Sequence, residues 1–453
     1  MNPSVLTAPD SDVKMQRTSS RSILDSIVLY GVVTLLFLGP LAAGAVRPWA
    51  IFVLETGAAL LFALWVVRQA SSGILQFTGN PLFLPMIVFA ALIVLQLVTG
   101  ATAYRYQTFS SALLYCAYGL FCFLVVQSLR SSTQIKTLAF IFSTYGLGVA
   151  MFALVQSMTS NGKLSWLRTP RFGGWIYGPY VNHNHYAGLM EMLLPIPLVF
   201  FLIQRAQGWQ KAMAAVAAGV MTSTVFLSGS RGGMVAFIVQ IAVLAVVLMK
   251  QRRRHRTNIG LGLFLLMVIG LLIWLGGREL TTRVASINLE ARKELSGGVR
   301  MAIDRDGLRM FARRPVLGWG LGAFPDVYPR YRSFYTNFFI NQAHNDYLQL
   351  LVEMGALGFA TVMWFLVQLY RHALRKVGNW SEDINGATAL AALLGCTGIL
   401  VHSFVDFNLQ IPANAALFYV LCVLAALEQR FGRSIRKHVR RPADAPEVSV
   451  QRN

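Results

Sequence analysis

The chain is short of charge, of acid and of cysteine. Only 13% of its 453 residues are charged, and 19 Asp and Glu face 40 Lys and Arg. With 55% hydrophobic residues and a mean hydropathy of +0.54, it has too little polar surface for a water-soluble domain of this length. The four cysteines, Cys116, Cys122, Cys396 and Cys422, fall inside apolar stretches and form no CxxC pair. They read as small core residues rather than as a disulfide framework or a metal site. There is no GxSxG, HExxH or Walker-type loop, so the hydrolase, zinc-peptidase and ATPase classes lack their signatures. Residues 1–22 lack the apolar core of a signal peptide and read as a disordered cytoplasmic tail.

What is present is a succession of apolar runs. A helix crosses a bilayer with roughly 20 such residues, and about twelve stretches meet that length. They lie near 23–46, 48–67, 81–99, 108–128, 135–158, 185–204, 211–228, 233–249, 259–276, 346–370, 386–404 and 411–429. The pattern predicts an all-α, polytopic integral membrane protein, with a membrane domain over 23–430 and a basic cytoplasmic tail over 431–453. The one long extramembrane loop covers 277–345.

The charge of +21 is distributed like that of a membrane protein rather than a nucleic-acid binder. With the N-terminus inside, the inner segments carry 23 of the 40 Lys and Arg, the short outer loops 6 and the long loop 11. Short loops set orientation by their positive charge, and long loops cross regardless. Lys250 to Arg256 is the sharpest inner mark. Both termini are therefore expected in the cytoplasm, with the basic tail on anionic lipid.

Ionisable groups within a bilayer are costly and mark functional sites. Here they gather near the outer face. The loop 159–184 holds Trp166, Arg168, Arg171, Trp175, Tyr177 and Tyr180, suited to interfacial anchoring or to sugar and phosphate contacts. Asn182-His-Asn-His185-Tyr186 opens the sixth span. Its histidines suit hydrogen bonding to a polyol or helix capping better than a metal. Ser228-Gly-Ser-Arg231-Gly-Gly233 is a tight turn whose amides and guanidinium fit an anion, or whose Arg231 reaches lipid head groups.

Arg300 and Arg305 sit in a stretch of the long loop, Gly298 to Arg313, with helical character. The Gly318-Trp-Gly320-Leu-Gly322 segment follows Arg314-Pro315, and we read the whole loop as a lid on the outer leaflet. Gln342-Ala-His344-Asn-Asp346-Tyr347 starts the tenth span. Asp346 suits a helix's first turn, and His344 carries an imidazole, the side chain type suited to proton exchange at neutral pH. His402 and Asp406 are one helical turn apart near the end of the eleventh span, either as an oriented imidazole or as a structural hydrogen bond. Glu55, Glu191 and Glu353 each lie roughly 10 Å below the outer boundary at 1.5 Å per residue, so Arg or His partners are expected in a chamber open to the outside.

Taken together, the Ser-Gly-Ser-Arg231-Gly-Gly turn, Pro315 with Gly318-x-Gly320-x-Gly322-x-Phe324, and His344-Asn-Asp-Tyr347 resemble the O-antigen ligase superfamily, across about 140–430. That resemblance implies a GT-C-like, inverting glycosyltransferase without metal or other cofactor, in a bacterial cytoplasmic (inner) membrane with its site on the periplasmic side. The donor implied is a glycan on undecaprenyl diphosphate. The acceptor would be lipid A–core, another lipid-linked glycan or a protein. The loop is too short for the extra domain common in protein-targeting members. By resemblance, Arg231 and Arg300 hold the diphosphate and His344 activates the acceptor hydroxyl, with His185, Asp346, Glu353 and His402 in support. A Wzy-like polymerase differs only in its acceptor. A transporter or flippase would need access from both sides, and the inner halves of the spans hold almost no acids.

Overall fold

The computed structural model describes residues 11–73, 75–169, 175–203, 208–250, 259–274, 297–337 and 339–428. Arg171, all of 275–296 and the tail 431–453 lie outside them. The described chain is helical, with two isolated β-bridges and no strand.

The helices in order are α1 (Ser11–Leu41), α2 (Pro48–Ser72), α3 (Phe83–Thr99), α4 (Arg105–Ser128), α5 (Ser132–Thr159), α6 (His183–Leu193), α7 (Pro195–Leu202), α8 (Gly208–Leu227), α9 (Arg231–Met249), α10 (Ile259–Trp274), α11 (Gly297–Arg313), α12 (Phe324–Val327), α13 (Asp346–Val377), α14 (Ile384–His402) and α15 (Pro412–Ala426). Among the described residues nine helical segments are long and apolar enough to cross a membrane. Shorter apolar helices cover Phe83–Thr99, Ile259–Trp274 and Pro412–Ala426. Each expected span coincides with one of these to within a few residues. α1 begins at Ser11 rather than Ile23, so part of the segment read as a disordered tail is helical. Extending an existing helix adds one hydrogen bond per residue without a new nucleus, so an apolar span carries into its polar flank.

α14 is the central helix and packs against α6, α7, α9, α13 and α15. Its alanines and glycines permit this, because close backbone approach is the main source of packing energy between helices in lipid. A methyl group at Gly395 would come within 2.8 Å of the Met192 carbonyl. Gln240 on α9 ties the arrangement by donating to the carbonyls of Glu191 (2.7 Å) and Leu394 (3.0 Å).

The described part of the long loop, from residue 297 on, folds onto α13 rather than trailing from it. α13 is broken at Gly355, whose φ of 65° and ψ of −169° interrupt the helical ladder. The freed groups are claimed by the 315–320 segment. Trp319 and Gly320 N–H donate to the Val352 and Glu353 carbonyls, and Ala356 N–H donates to the Pro315 carbonyl. Gly318 takes a φ of +73°, and a Cβ there would be 2.5 Å from the Glu353 main chain. α11, α12 and the start of α13 then share their own small core of Ile303, Met310, Phe324, Tyr328 and Leu348. Buried Asp306 closes it by accepting from Ser333 N–H (2.9 Å) and Oγ (3.0 Å).

Candidate active site

The loop between α14 and α15, residues 403–411, is where most of the candidate residues meet. It is fixed from behind by Asp346, which accepts from Ser403 Oγ (2.8 Å) and Leu409 N–H (3.0 Å), while Asp346 N–H donates to the Ser403 carbonyl (2.9 Å). Its front carries Val405, Asp406 and Phe407.

Asn345 caps α13 by accepting from Leu348 N–H at 3.1 Å. That cap leaves His344 just outside the helix with a φ of +55°, a left-handed conformation that costs a residue with a Cβ about 1–2 kcal/mol. The turn presents His344 Nδ1 to Asp406 Oδ1 at 3.7 Å, with the ring edge-on to Phe407 at 4.7 Å. His185 also stands edge-on to Phe407 at the same 4.7 Å, its Nε2 being 3.9 Å from the same Asp406 oxygen. Asn182 caps α6 by accepting from Asn184 N–H, and Asn414 on α15 donates to the His185 carbonyl at 3.0 Å. One carboxylate and one phenyl ring therefore lie between two imidazoles.

Arg300 arrives from α11. Its Nη1 donates to the Val405 carbonyl at 2.8 Å, and its buried Nε has no hydrogen-bond partner among the described residues. Asp304, a turn further along α11, lies near Arg300 and hydrogen-bonds Asn345. Burial raises its carboxyl above the ordinary value, and Arg300 only partly offsets this. Burial would also raise Asp406, but the nearby His344, His185 and His402 rings outweigh it and hold the carboxyl below the ordinary range.

Arg231 is the first residue of α9, exposed beyond a buried turn. Ser230 caps the helix by accepting from Gly233 N–H at 3.1 Å, and Gly229 makes the corner with φ +77° against the Trp175 ring. Gly232 packs flat on His402. A Cβ there would be 2.5 Å from the imidazole and 3.2 Å from Val405. Val405 is thus reached by two elements, by Arg300 through its guanidinium and by the Arg231 turn through Gly232.

His402 does not turn toward Asp406 for its direct partner. The chain still makes one turn here, Asp406 N–H donating to the His402 carbonyl at 3.2 Å, but the imidazole is taken by another carboxylate. His402 Nδ1 instead contacts Glu191 Oε1 at 2.8 Å, both side chains being almost fully buried. This is the partner expected for an intramembrane carboxylate. Glu353 has none of that kind. Its oxygens accept from Gly322 N–H (2.9 Å), Phe324 N–H (3.4 Å) and Gln349 Nε2 (3.0 Å), so it secures the glycine-rich segment and stands apart from the 403–411 loop. Glu55 pairs with neither Arg nor His among the described residues. Asp346 faces the back of the loop rather than its front.

The pairing of Asp406 with two imidazoles, the place of Phe407 between them, and Asp304 were not legible in the sequence. The one available signal was the polar Ser403-Phe-Val-Asp-Phe-Asn408 run between two apolar spans. No curated protein matches the chain. Residues 196–363 match the family model Wzy_C, described as O-Antigen ligase. That region includes Arg231, Arg300, His344, Asp346 and Glu353, while His185, Glu191, His402 and Asp406 lie outside it.

Proposed function

We propose, from the premise that this chain belongs to the O-antigen ligase superfamily, that it transfers a glycan from undecaprenyl diphosphate to an acceptor hydroxyl at the periplasmic face of the bacterial inner membrane. The observation that carries the reading is the convergence on Val405 and Asp406 of one imidazole at a water-accessible turn and two guanidinium-bearing elements from separate parts of the chain.

In this mechanism Asp406 faces His344 Nδ1 and leaves Nε2 for the acceptor. His344 takes the hydroxyl proton as the acceptor oxygen bonds to the anomeric carbon. The bond from that carbon to the diphosphate oxygen breaks, and the leaving diphosphate keeps the electron pair. Arg231 and Arg300 offset the charge that gathers on it. Attack from the face opposite the diphosphate inverts the anomeric centre. His185 shares Asp406 and shapes the acceptor side. The buried Glu191–His402 pair positions the Arg231 turn through Gly232. The step requires neither metal nor nucleotide.

The test uses purified protein with a defined undecaprenyl-diphosphate glycan and either lipid A–core or a second portion of donor. Transfer to lipid A–core identifies a ligase, and growth of glycan on the donor identifies a polymerase. Intact transfer in Arg231→Ala, Arg300→Ala and His344→Ala proteins present at normal levels would remove the assignment.

A further inference from the structure

A large cavity adjoins the 403–411 loop, and His344 is not among its lining residues. It has a volume of about 640 Å³ and runs between α3, α4, α13 and α15. Leu321, Asp346 and Glu353 line its site end, and Phe77, Phe83 and Phe123 its far end. Since α3 runs from Phe83 to Thr99 and α4 returns from Arg105 to Ser128, the cavity follows these helices for most of their length. No Lys, Arg or His is among its described lining residues. Ser403, Leu409 and Gln410 also line it, so the loop is the wall between cavity and site. Neither Arg231 nor Arg300 lines the cavity, and the carboxyl groups at its site end offer a diphosphate nothing. An apolar void of this kind stays dry and takes apolar guests, and in a membrane the guest at hand is a hydrocarbon chain.

The far end carries the complementary charge. Phe77 is held between Gln76, whose carbonyl accepts from Gln69 (2.6 Å), and Thr78, which exchanges two hydrogen bonds with Gln127 (both 2.8 Å). Gln69 adjoins Arg68, and Gln127 is a turn from Arg130. The two arginines share a single carboxylate, Asp25, at 2.9 and 3.7 Å, leaving one positive charge in excess. Arg68 is 6% exposed and its Nε has no hydrogen-bond partner among the described residues, while the Arg130 side chain is a third exposed. A phosphate is the group such a guanidinium pair receives best.

We propose that this arrangement is a binding site for an anionic membrane phospholipid, with its phosphate on Arg130 and the Arg68–Asp25 cluster and one acyl chain in the cavity behind the loop. The chain end packs beneath Leu409 and Gln410 and braces the wall that carries Asp406. The site is distinct from the donor site proposed above and does not depend on the identity of that donor.

The full-length protein, stripped of lipid in detergent, is titrated with phosphatidylglycerol and its bound lipid counted by native mass spectrometry. A Cβ at Gly119, which lines the cavity, meets no atom within 4 Å, so Gly119→Phe projects into the void. Gly119→Phe and Arg130→Glu are each expected to bind about tenfold or more weakly than wild type, the loss of a charge-assisted or fully buried contact. Arg231→Ala is expected to bind as wild type does, which separates this site from the catalytic reading. In the unmodified protein, phosphatidylglycerol with a photoreactive acyl terminus is expected to label α4 near Tyr115. Unchanged binding in both cavity variants, labelling elsewhere, or displacement of phosphatidylglycerol by an undecaprenyl-diphosphate donor would overturn the proposal.

Discussion

Two buried regions built around α13 use acidic groups in opposite ways. At the glycine-rich junction, Glu353 receives two main-chain amides and a glutamine. At the 403–411 loop, Asp406 Oδ2, His344 Nδ1 and Arg300 Nε are all buried without a hydrogen-bond partner among the described residues. Buried polar atoms are normally satisfied, because an unpaired one costs roughly 1–3 kcal/mol. The junction has the chemistry of a structural clasp. The loop retains unused hydrogen-bonding capacity, which is what a site awaiting a polar ligand requires.

The contrast is broken most sharply by substitutions that remove chemistry from the loop and leave the clasp intact. His344→Ala is expected to lower transfer by about 10²–10⁴-fold, the usual contribution of a general base, with unchanged yield and thermal stability. Equal losses of stability and activity would place His344 with the clasp instead. Next in size, His402→Ala leaves Glu191 as a buried, unpartnered charge, and removal of one member of such a pair costs about 3–5 kcal/mol. Its melting temperature in detergent is expected to fall clearly, and a normal melting curve would show the pair to be dispensable.

Glu353→Ala is expected to cost about 1–3 kcal/mol for each main-chain amide it strands, with proteolysis appearing first near Gly318–Phe324. Glu353→Gln, which keeps one acceptor, is milder. If either variant kept its stability and lost transfer, the clasp would belong to the site.

The smallest effect expected is that of pH. The Asp406 carboxyl is held below its ordinary value, so its contribution to stability is fully present above the ordinary carboxylate range near 3.9 and is lost only as pH falls through the lower folded value. Asp406 therefore stays ionised between about pH 5 and 8, where an imidazole base titrates. Transfer is expected to decline on acidification across that window while the melting temperature changes little. A flat rate profile would remove His344 as the base.

Much of the fold was open to sequence reasoning because a membrane imposes a simple rule. Every span must be long, apolar and internally hydrogen-bonded, so hydropathy alone located the helices. Asn182, Ser230 and Asn345 are residue types that cap helices, and each does so. Arg231, Arg300 and His344 were singled out from motifs, but the α14–α15 loop that Arg300, His344 and Gly232 contact was not, since it lies outside those motifs. His402 shows why. Its partner four residues on was legible, but the imidazole is taken instead by Glu191 at 2.8 Å, from a distant part of the chain.

By itself, then, the sequence determined that this protein lives in a membrane, how its chain is divided into helices, and which polar side chains interrupt its apolar runs. Those are consequences of local composition, where each residue's transfer free energy and capping preference act nearly independently. Tertiary structure alone decided that Glu191 pairs with His402, that Asp406 lies between two histidines, and that Glu353 serves the glycine-rich segment. Each of those outcomes depends on which buried partner is within hydrogen-bond reach after α14 packs at the centre. That distance is set by helix breaks and glycine contacts far apart in the chain, at Gly232, Gly318 and Gly355, and no local pattern records it.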